Sequence, residues 1–295
     1  MLNLQLPSPI QEIKDSLLDE KKVRLFIKRE DLIHPILSGN KWRKLKYNIL
    51  KAKEEGQDTI LSFGGAYSNH IHALAAAANA FGLKSIGIIR GDEIVALNNT
   101  LAYAKSCGME LSFASREDYK RKTEDDFITT LHEKFGEFYL IPEGGFNTEG
   151  MKGCMDIVEE VKIDYNIICC ACGTGTTIAG IIASLPKGKK AIGFPVLKGG
   201  DFLYNEIKTL LPKTDPLDNN WHLETNYHFG GYAKWNKELL DFINDFKEKQ
   251  GIQLDQVYTG KLLFGLFDLL KKDFFKEGSC IVALHTGGLQ GLLNE

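Results

Sequence analysis

The chain lacks most features that would set it outside the ordinary soluble proteins. It has no excess of positive charge: 36 Lys and Arg against 39 Asp and Glu leave a net charge of -3, which argues against a nucleic-acid partner or an anionic membrane surface. It has no apolar run suited to crossing a membrane, since the alanine-rich stretch from Ala73 to Ala80 is short and interrupted by Asn79. Met1-Leu2-Asn3-Leu4-Gln5 has neither a basic region nor a long apolar core, so no signal peptide is expected. No fixed-period repeat, linker or low-complexity tract is visible. Cysteine is sparse, with 6 in 295 residues, and Cys169, Cys170 and Cys172 are crowded together. That usage suggests reduced, buried thiols and a cytoplasmic protein. Cys169 and Cys172 form a nominal Cys-x-x-Cys, but it lies at an apolar run with no second ligand pair, so no metal site is expected.

What is present is an ordinary globular composition, 43% hydrophobic and 25% charged, in a chain long enough for one large α/β domain or two domains. Short apolar runs alternate with helical patterns. Strands are predicted over residues 23–28, 59–63, 84–89, 110–113, 138–141, 165–170, 190–196, 221–224 and 280–285. Helices are predicted over 41–55, 69–81, 98–106, 124–135, 148–161, 177–185, 201–211, 237–250 and 261–272. Such alternation implies an α/β fold with parallel-rich sheets, whether one sheet or two.

In such folds ligands gather at the carboxyl ends of strands, and glycine-rich turns mark those places. The first informative stretch is Ser38-Gly39-Asn40-Lys41. Asn40 reads as an N-cap, which puts Lys41 in the first turn of a helix, against the positive end of the dipole. A lysine with a lowered pKa can form a Schiff base with an aldehyde. Gly39 leaves room for something flat to approach. The second stretch, Gly64-Gly65-Ala66-Tyr67-Ser68-Asn69-His70, opens a helix whose free N–H groups suit a carboxylate.

Further along, Cys172-Gly173-Thr174-Gly175-Thr176-Thr177 places glycines and hydroxyls before a helix N-terminus, as a phosphate cradle does. No Gly-Lys-Ser/Thr follows, and Ile178 stands where the dinucleotide fingerprint needs its third glycine, so a small phosphate fits better than a nucleotide. Thr286, in His285-Thr286-Gly287-Gly288, offers a hydroxyl to a ring nitrogen; Tyr258 and Tyr232 offer aromatic faces. Each stretch alone also has an ordinary reading as a capped turn or loop. Together they supply what pyridoxal phosphate needs to act on an amino acid.

In the same order along nearly the whole chain, Lys28-Arg29-Glu30-Asp31, Gly39-Asn40-Lys41, Gly64-Gly65 with Ser68-Asn69-His70, Gly173 to Thr177, Val257-Tyr258-Thr259-Gly260-Lys261 and His285-Thr286-Gly287-Gly288 resemble the 1-aminocyclopropane-1-carboxylate deaminase and D-cysteine desulfhydrase family. That resemblance implies the tryptophan synthase β-like fold of pyridoxal-phosphate enzymes. It implies a large domain from residues 1–44 and 150–295, a small inserted domain from 45–149, and a homodimer. Lys41 would carry pyridoxal 5'-phosphate and move the proton at the substrate α-carbon. Asn69 would bind the ring hydroxyl, Gly173, Thr174, Gly175, Thr176 and Thr177 the phosphate, and Thr286 the ring nitrogen. Tyr258 would stack near the ring and take part in catalysis with Ser68 and Tyr232. The small amino-acid substrate would meet Tyr67, Ser68, Asn69, His70 and Tyr232.

Three departures stand out. Tyr67 replaces the family's usual glutamine, with Ile71-His72 in place of Thr-Arg. Thr259 replaces the glutamate of the deaminases, and the chain is some tens of residues shorter than typical members. A hydroxyl cannot hold a proton on the ring nitrogen as a carboxylate does, which points to β-elimination from D-cysteine over cyclopropane deamination. A protein that binds the cofactor or an amino acid without turnover is the reading of a different class.

Overall fold

The structure, a computed structural model, describes residues 3–37, 39–92, 96–212 and 220–292, so Ser38 of the first motif lies outside the described residues. In chain order the elements are β1 (Ile10–Ile13), α1 (Ser16–Lys21), β2 (Arg24–Lys28), α2 (Asn40–Glu54), β3 (Thr59–Gly64), α3 (Asn69–Phe81) and β4 (Lys84–Arg90). Then follow α4 (Asn99–Ser106), β5 (Glu110–Ala114), α5 (Arg116–Lys120), α6 (Asp125–Phe135), β6 (Tyr139–Ile141), α7 (Thr148–Glu159), β7 (Ile167–Cys172) and α8 (Thr176–Ala183). The remainder is β8 (Lys190–Pro195), α9 (Leu203–Leu210), β9 (Trp221–Leu223), α10 (Lys237–Gln250), α11 (Thr259–Lys271) and β10 (Cys280–Leu284). Every predicted strand and helix is present. β1, α1 and α5 were not predicted.

The strands form two sheets. The larger runs β1-β2-β10-β7-β8-β9 and is parallel except for the β1–β2 pair. The smaller runs β5-β4-β3-β6 and is wholly parallel. A parallel strand covered on both faces must be apolar throughout, and β7, Ile-Ile-Cys-Cys-Ala-Cys, shows why. Cys169 and Ala171 pack into one core layer, and Ile168, Cys170 and Cys172 into the layer on the other face. Because side chains alternate along a strand, Cys169 and Cys172 point to opposite faces and cannot share a ligand.

Helix α2 is continuous across residues 44 and 45, where the small unit was expected to begin. It packs on α7, beneath the large sheet, and on α3 of the small one. A Cβ on Gly153 would lie 1.8 Å from the Arg43 carbonyl oxygen, so glycine is what lets α7 approach α2 this closely. The carboxyl ends of β3, β7 and β10 are thereby gathered around the first turn of α2.

Candidate active site

Lys41 occupies the second position of α2, and three neighbouring loops fix it there. Gly39, at φ +64°, is the N-cap; a Cβ there would lie 1.9 Å from the Thr286 carbonyl oxygen. The space that glycine leaves is therefore filled by the backbone after β10, and not by a flat ligand as the sequence suggested. Asn40 is not the cap either. It is the first helical residue, it is buried, and its side chain bridges two parts of the site. Its Nδ2 donates to Thr177 Oγ1 at 2.8 Å, and its Oδ1 accepts from Lys41 Nζ at 2.8 Å.

The Lys41 ammonium is pushed down to about 7. Burial is the main cause and the like charge of Lys44 the next, with Asp255 and Cys154 opposing weakly. The sequence had credited the helix dipole. Near neutral pH a substantial share of this amine is unprotonated and nucleophilic. The Tyr258 ring centre lies 6.0 Å from Lys41 Nζ, and the Tyr232 ring meets Tyr258 edge-on at 6.2 Å.

The turn after β7 runs from Gly173 into α8. Gly175 caps that helix at φ +86° without a side-chain hydrogen bond, so the first N–H groups of α8 are left for an anion. The Thr174 and Thr176 hydroxyl oxygens lie 3.1 Å apart beside it. Lys44 adds a charge that sequence reasoning missed. Its Nζ donates to the Gly144 carbonyl at 2.9 Å, Gly144 lies against Thr174, and among the described residues no carboxylate pairs with the ammonium. Lys44 follows Lys41 by three residues, the spacing that puts two side chains on one helix face, and that signal could have found it.

A buried cation without a counter-charge, beside free helix N–H groups and hydroxyls, is the donor set a phosphate requires. With an amine at about 7 and a tyrosine ring nearby, these residues fit pyridoxal phosphate.

The remaining expected residues divide. Ser68 is the N-cap of α3, its Oγ accepting from Ile71 N at 3.3 Å, and Asn69 follows as the first helical residue. Asn69 Oδ1 accepts from Gln290 Nε2 at 2.6 Å, which ties α3 to the loop after β10. Thr286 is buried on that loop, and among the described residues its hydroxyl has no protein partner. His70 is turned inward: Nε2 sits 2.9 Å from Ser62 Oγ, which itself donates to the Ile141 carbonyl. The ring therefore donates through Nε2 and leaves Nδ1 an unpartnered acceptor. Burial, followed by Lys44 and Lys41, pushes His70 down to about 3, so it is neutral. Tyr67, expected to meet the substrate, is 73% exposed, and Tyr232 is also exposed.

Thr259 is removed from the ring-nitrogen question altogether. It is fully buried; its Oγ1 donates to Asp255 Oδ1 at 2.6 Å and accepts from Asp255 N at 2.8 Å. Asp255 also takes the N–H groups of Val257, Tyr258 and Thr259, which holds Tyr258 at the start of α11. Neither Asp255 nor Lys261 was singled out from the sequence as a site support. Lys261, buried, donates to the carbonyls of His228 and Gly231 at 2.9 and 2.8 Å and so anchors the loop carrying Tyr232.

The comparisons with known proteins point to the same cofactor. The family model described as pyridoxal-phosphate dependent enzyme matches residues 2–287. A putative 1-aminocyclopropane-1-carboxylate deaminase of Thermotoga maritima is 32% identical over 97% of this chain and 95% of its own length. The bifunctional mitochondrial D-cysteine desulfhydrase/1-aminocyclopropane-1-carboxylate deaminase of Arabidopsis thaliana is 32% identical over 92% of this chain and 74% of its own. Among solved structures, a 1-aminocyclopropane-1-carboxylate deaminase homologue superposes with a TM-score of 0.82 at 30% identity, covering 98% of this chain and 91% of the other. With the site's donor set and these likenesses together, the chain belongs to the pyridoxal-phosphate dependent enzymes, in the family of the 1-aminocyclopropane-1-carboxylate deaminases and D-cysteine desulfhydrases.

Proposed function

We propose that this enzyme converts D-cysteine or a similar β-substituted amino acid, with one water, to pyruvate, ammonia and sulfide or the corresponding thiol. One observation carries the choice: the buried carboxylate at the Tyr258 turn, Asp255, is saturated by hydrogen bonds from Val257, Tyr258 and Thr259. The group left to meet a ring nitrogen is the neutral hydroxyl of Thr286.

The phosphate of the cofactor would rest on the Gly173–Thr177 turn with Lys44 as counter-charge, its ring beside Tyr258 and its hydroxyl at Asn69. When bound, pyridoxal phosphate supplies an electron sink for the α-carbon of an amino acid. The chain's own residues do the rest. Lys41, with its lowered pKa, takes the α-proton. Ser68 and the N-terminus of α3 hold the substrate carboxylate. Burial holds the Tyr258 phenol well above its ordinary value, so it stays protonated and can hand a proton toward a departing sulfur. The hydroxyl of Thr286 would give the ring nitrogen a hydrogen bond but no fixed proton, and a thiolate leaving group tolerates that weaker withdrawal better than a cyclopropane carbon does.

The second reading, 1-aminocyclopropane-1-carboxylate deamination to 2-oxobutanoate and ammonia, is favoured by the name of the Thermotoga relative, while the Arabidopsis relative is named for both activities. A homodimer in the cytoplasm agrees with the family resemblance and with six free cysteines, five of them buried. The test is a paired assay at equal enzyme: pyruvate from D-cysteine against 2-oxobutanoate from the cyclopropane, each with a Lys41→Ala control. Faster D-cysteine turnover is expected. Faster cyclopropane turnover would sink the argument from Thr286, and no Lys41-dependent turnover of either would favour a binding protein.

A further inference from the structure

The small sheet presents its own carboxyl edge to a second cavity, about 570 Å3 in volume, that neither Lys41 nor the Gly173–Thr177 turn lines. In open parallel sheets that edge is where ligands settle. Its charges are distributed unevenly. Arg90 ends β4, and α5 supplies Arg116, Tyr119 and Lys120, which the i, i+3, i+4 spacing places on one face of the helix turn. The acidic residues of the same turn, Glu117 and Asp118, are not in the lining. Lys122 adds a fourth cation, and Glu143, 3.5 Å from it, is the one carboxylate among the described lining residues.

Arg90, Arg116 and Lys120 have no carboxylate partner among the described residues. Tyr119 is buried between them, 5.7 Å from the Arg90 guanidinium and 5.1 Å from the Lys122 ammonium, measured to its ring centre. Its hydroxyl makes no geometric hydrogen bond, and burial, followed by the charge of the nearby Glu143 carboxylate, raises the phenol so that it remains a donor. Three unmatched positive charges around one concavity, in a chain of net charge -3, repel one another until an anion joins them.

We propose that this cavity is a second binding site, separate from the catalytic cleft, for a small dianion. Arginine forks and lysine point charges recognise phosphate and carboxylate alike, so phosphate monoesters and dicarboxylates are the two sources of that chemistry. The site backs onto the cleft at two points. Its Gly65–Ala66 wall leads directly to Ser68. Glu143 precedes Gly144, which accepts from Lys44 and lies against Thr174. The inference does not depend on which substrate the enzyme takes.

The experiment is calorimetric titration of the holoenzyme, whose cradle is filled by cofactor, with inorganic phosphate and separately with malonate at constant ionic strength. Binding of at least one is expected, weakened tenfold or more by Arg90→Gln with Arg116→Gln while the cofactor's visible absorbance stays unchanged. Phosphate alone, malonate alone, or both would support the site and assign its ligand to the monoester class, the dicarboxylate class, or any small dianion. The absence of binding by either anion would overturn it, as would equal affinity in the double variant.

Discussion

Helix α2 draws three basic side chains inward within four residues, and their surroundings are opposite. Arg43 is saturated by acid. Its Nε donates to Glu30 Oε2 at 2.8 Å, and its two terminal nitrogens donate to the Glu160 oxygens at 2.7 Å. Lys28 joins the same cluster, 2.9 Å from Glu160 Oε2, with the Ser8 hydroxyl donating to Glu30 at 2.6 Å. Lys41 and Lys44 donate to neutral oxygens alone, those of Asn40 and Gly144. Burial with a counter-charge fixes α2 against β2 and α7. Burial without one lowers the pKa of an amine and leaves a cation waiting for a phosphate. One helix therefore carries its anchor and its chemistry on adjacent residues.

The sharpest way to break that comparison is to remove Lys41. Lys41→Ala should lower turnover about a thousandfold or more, because the base and the cofactor's attachment point go together. The folded state should keep its stability, since no ion pair is lost. Borohydride should fix the cofactor to Lys41 in the parent enzyme, with an absorbance band at about 410–420 nm before reduction. Label on another lysine would refute the assignment.

Arg43 should behave in the reverse manner. Arg43→Met leaves Glu30 and Glu160 facing each other and should cost about 3–5 kcal/mol in urea unfolding. The same cluster predicts acid sensitivity. Burial alone would raise Glu160, but hydrogen bonds from Arg43 and Lys28 outweigh it and hold the carboxyl down to about 2. A carboxyl lowered on folding stabilises the fold above its unfolded value near 4.5, and that contribution is lost as pH falls toward 2. In Glu160→Gln this part of the acid transition should disappear.

Lys44 sharpens the other side. Lys44→Met should weaken cofactor affinity by about 1.5–3 kcal/mol, the range for a hydrogen bond to a charged group. It should also raise the Lys41 pKa by removing a like charge. In the parent apoenzyme, cofactor uptake should slow about tenfold per pH unit below about 7, where Lys41 becomes protonated, and level off above it. In Lys44→Met the bend should move to higher pH. An unmoved bend would show that burial alone sets the Lys41 value.

The smallest effect is expected at Thr177. Thr177→Val removes the acceptor for Asn40 and should reduce cofactor affinity by about 1 kcal/mol, with turnover at saturating cofactor nearly unchanged. Collapsed turnover with unchanged affinity would place Thr177 in the chemistry instead of the cradle.

The elements were legible wherever pattern and length were strong. β7 is apolar throughout and β3 is buried along its whole length because both faces are covered, and such runs announce themselves. β1 is Ile-Gln-Glu-Ile, an antiparallel edge strand whose pairing with β2 no local pattern announces. α5 is a single short turn, below the length at which periodicity can be read. At the site, glycine–hydroxyl turns before helices were readable because a helix N-terminus needs them in any context. Asn40 was misread as a cap for the same reason: Asn before a helical run is normally one, and nothing local says that Gly39 must take that place to clear Thr286.

By itself, then, the sequence determined the alternation of strands and helices, the turns that can bind anions, and a lysine in the first turn of a helix. These follow from backbone geometry and side-chain propensity within a few residues. Tertiary structure decided which charges are neutralised. Glu160 stands 117 residues from Arg43 and reaches it through the α2–α7 contact, whereas among the described residues no carboxylate is brought to Lys44. It decided that Thr259 turns to Asp255 and that His70 Nε2 turns to Ser62. A hydrogen bond is chosen by which partners the fold brings within about 3 Å, and that distance is set by the packing of whole elements and not by spacing along the chain.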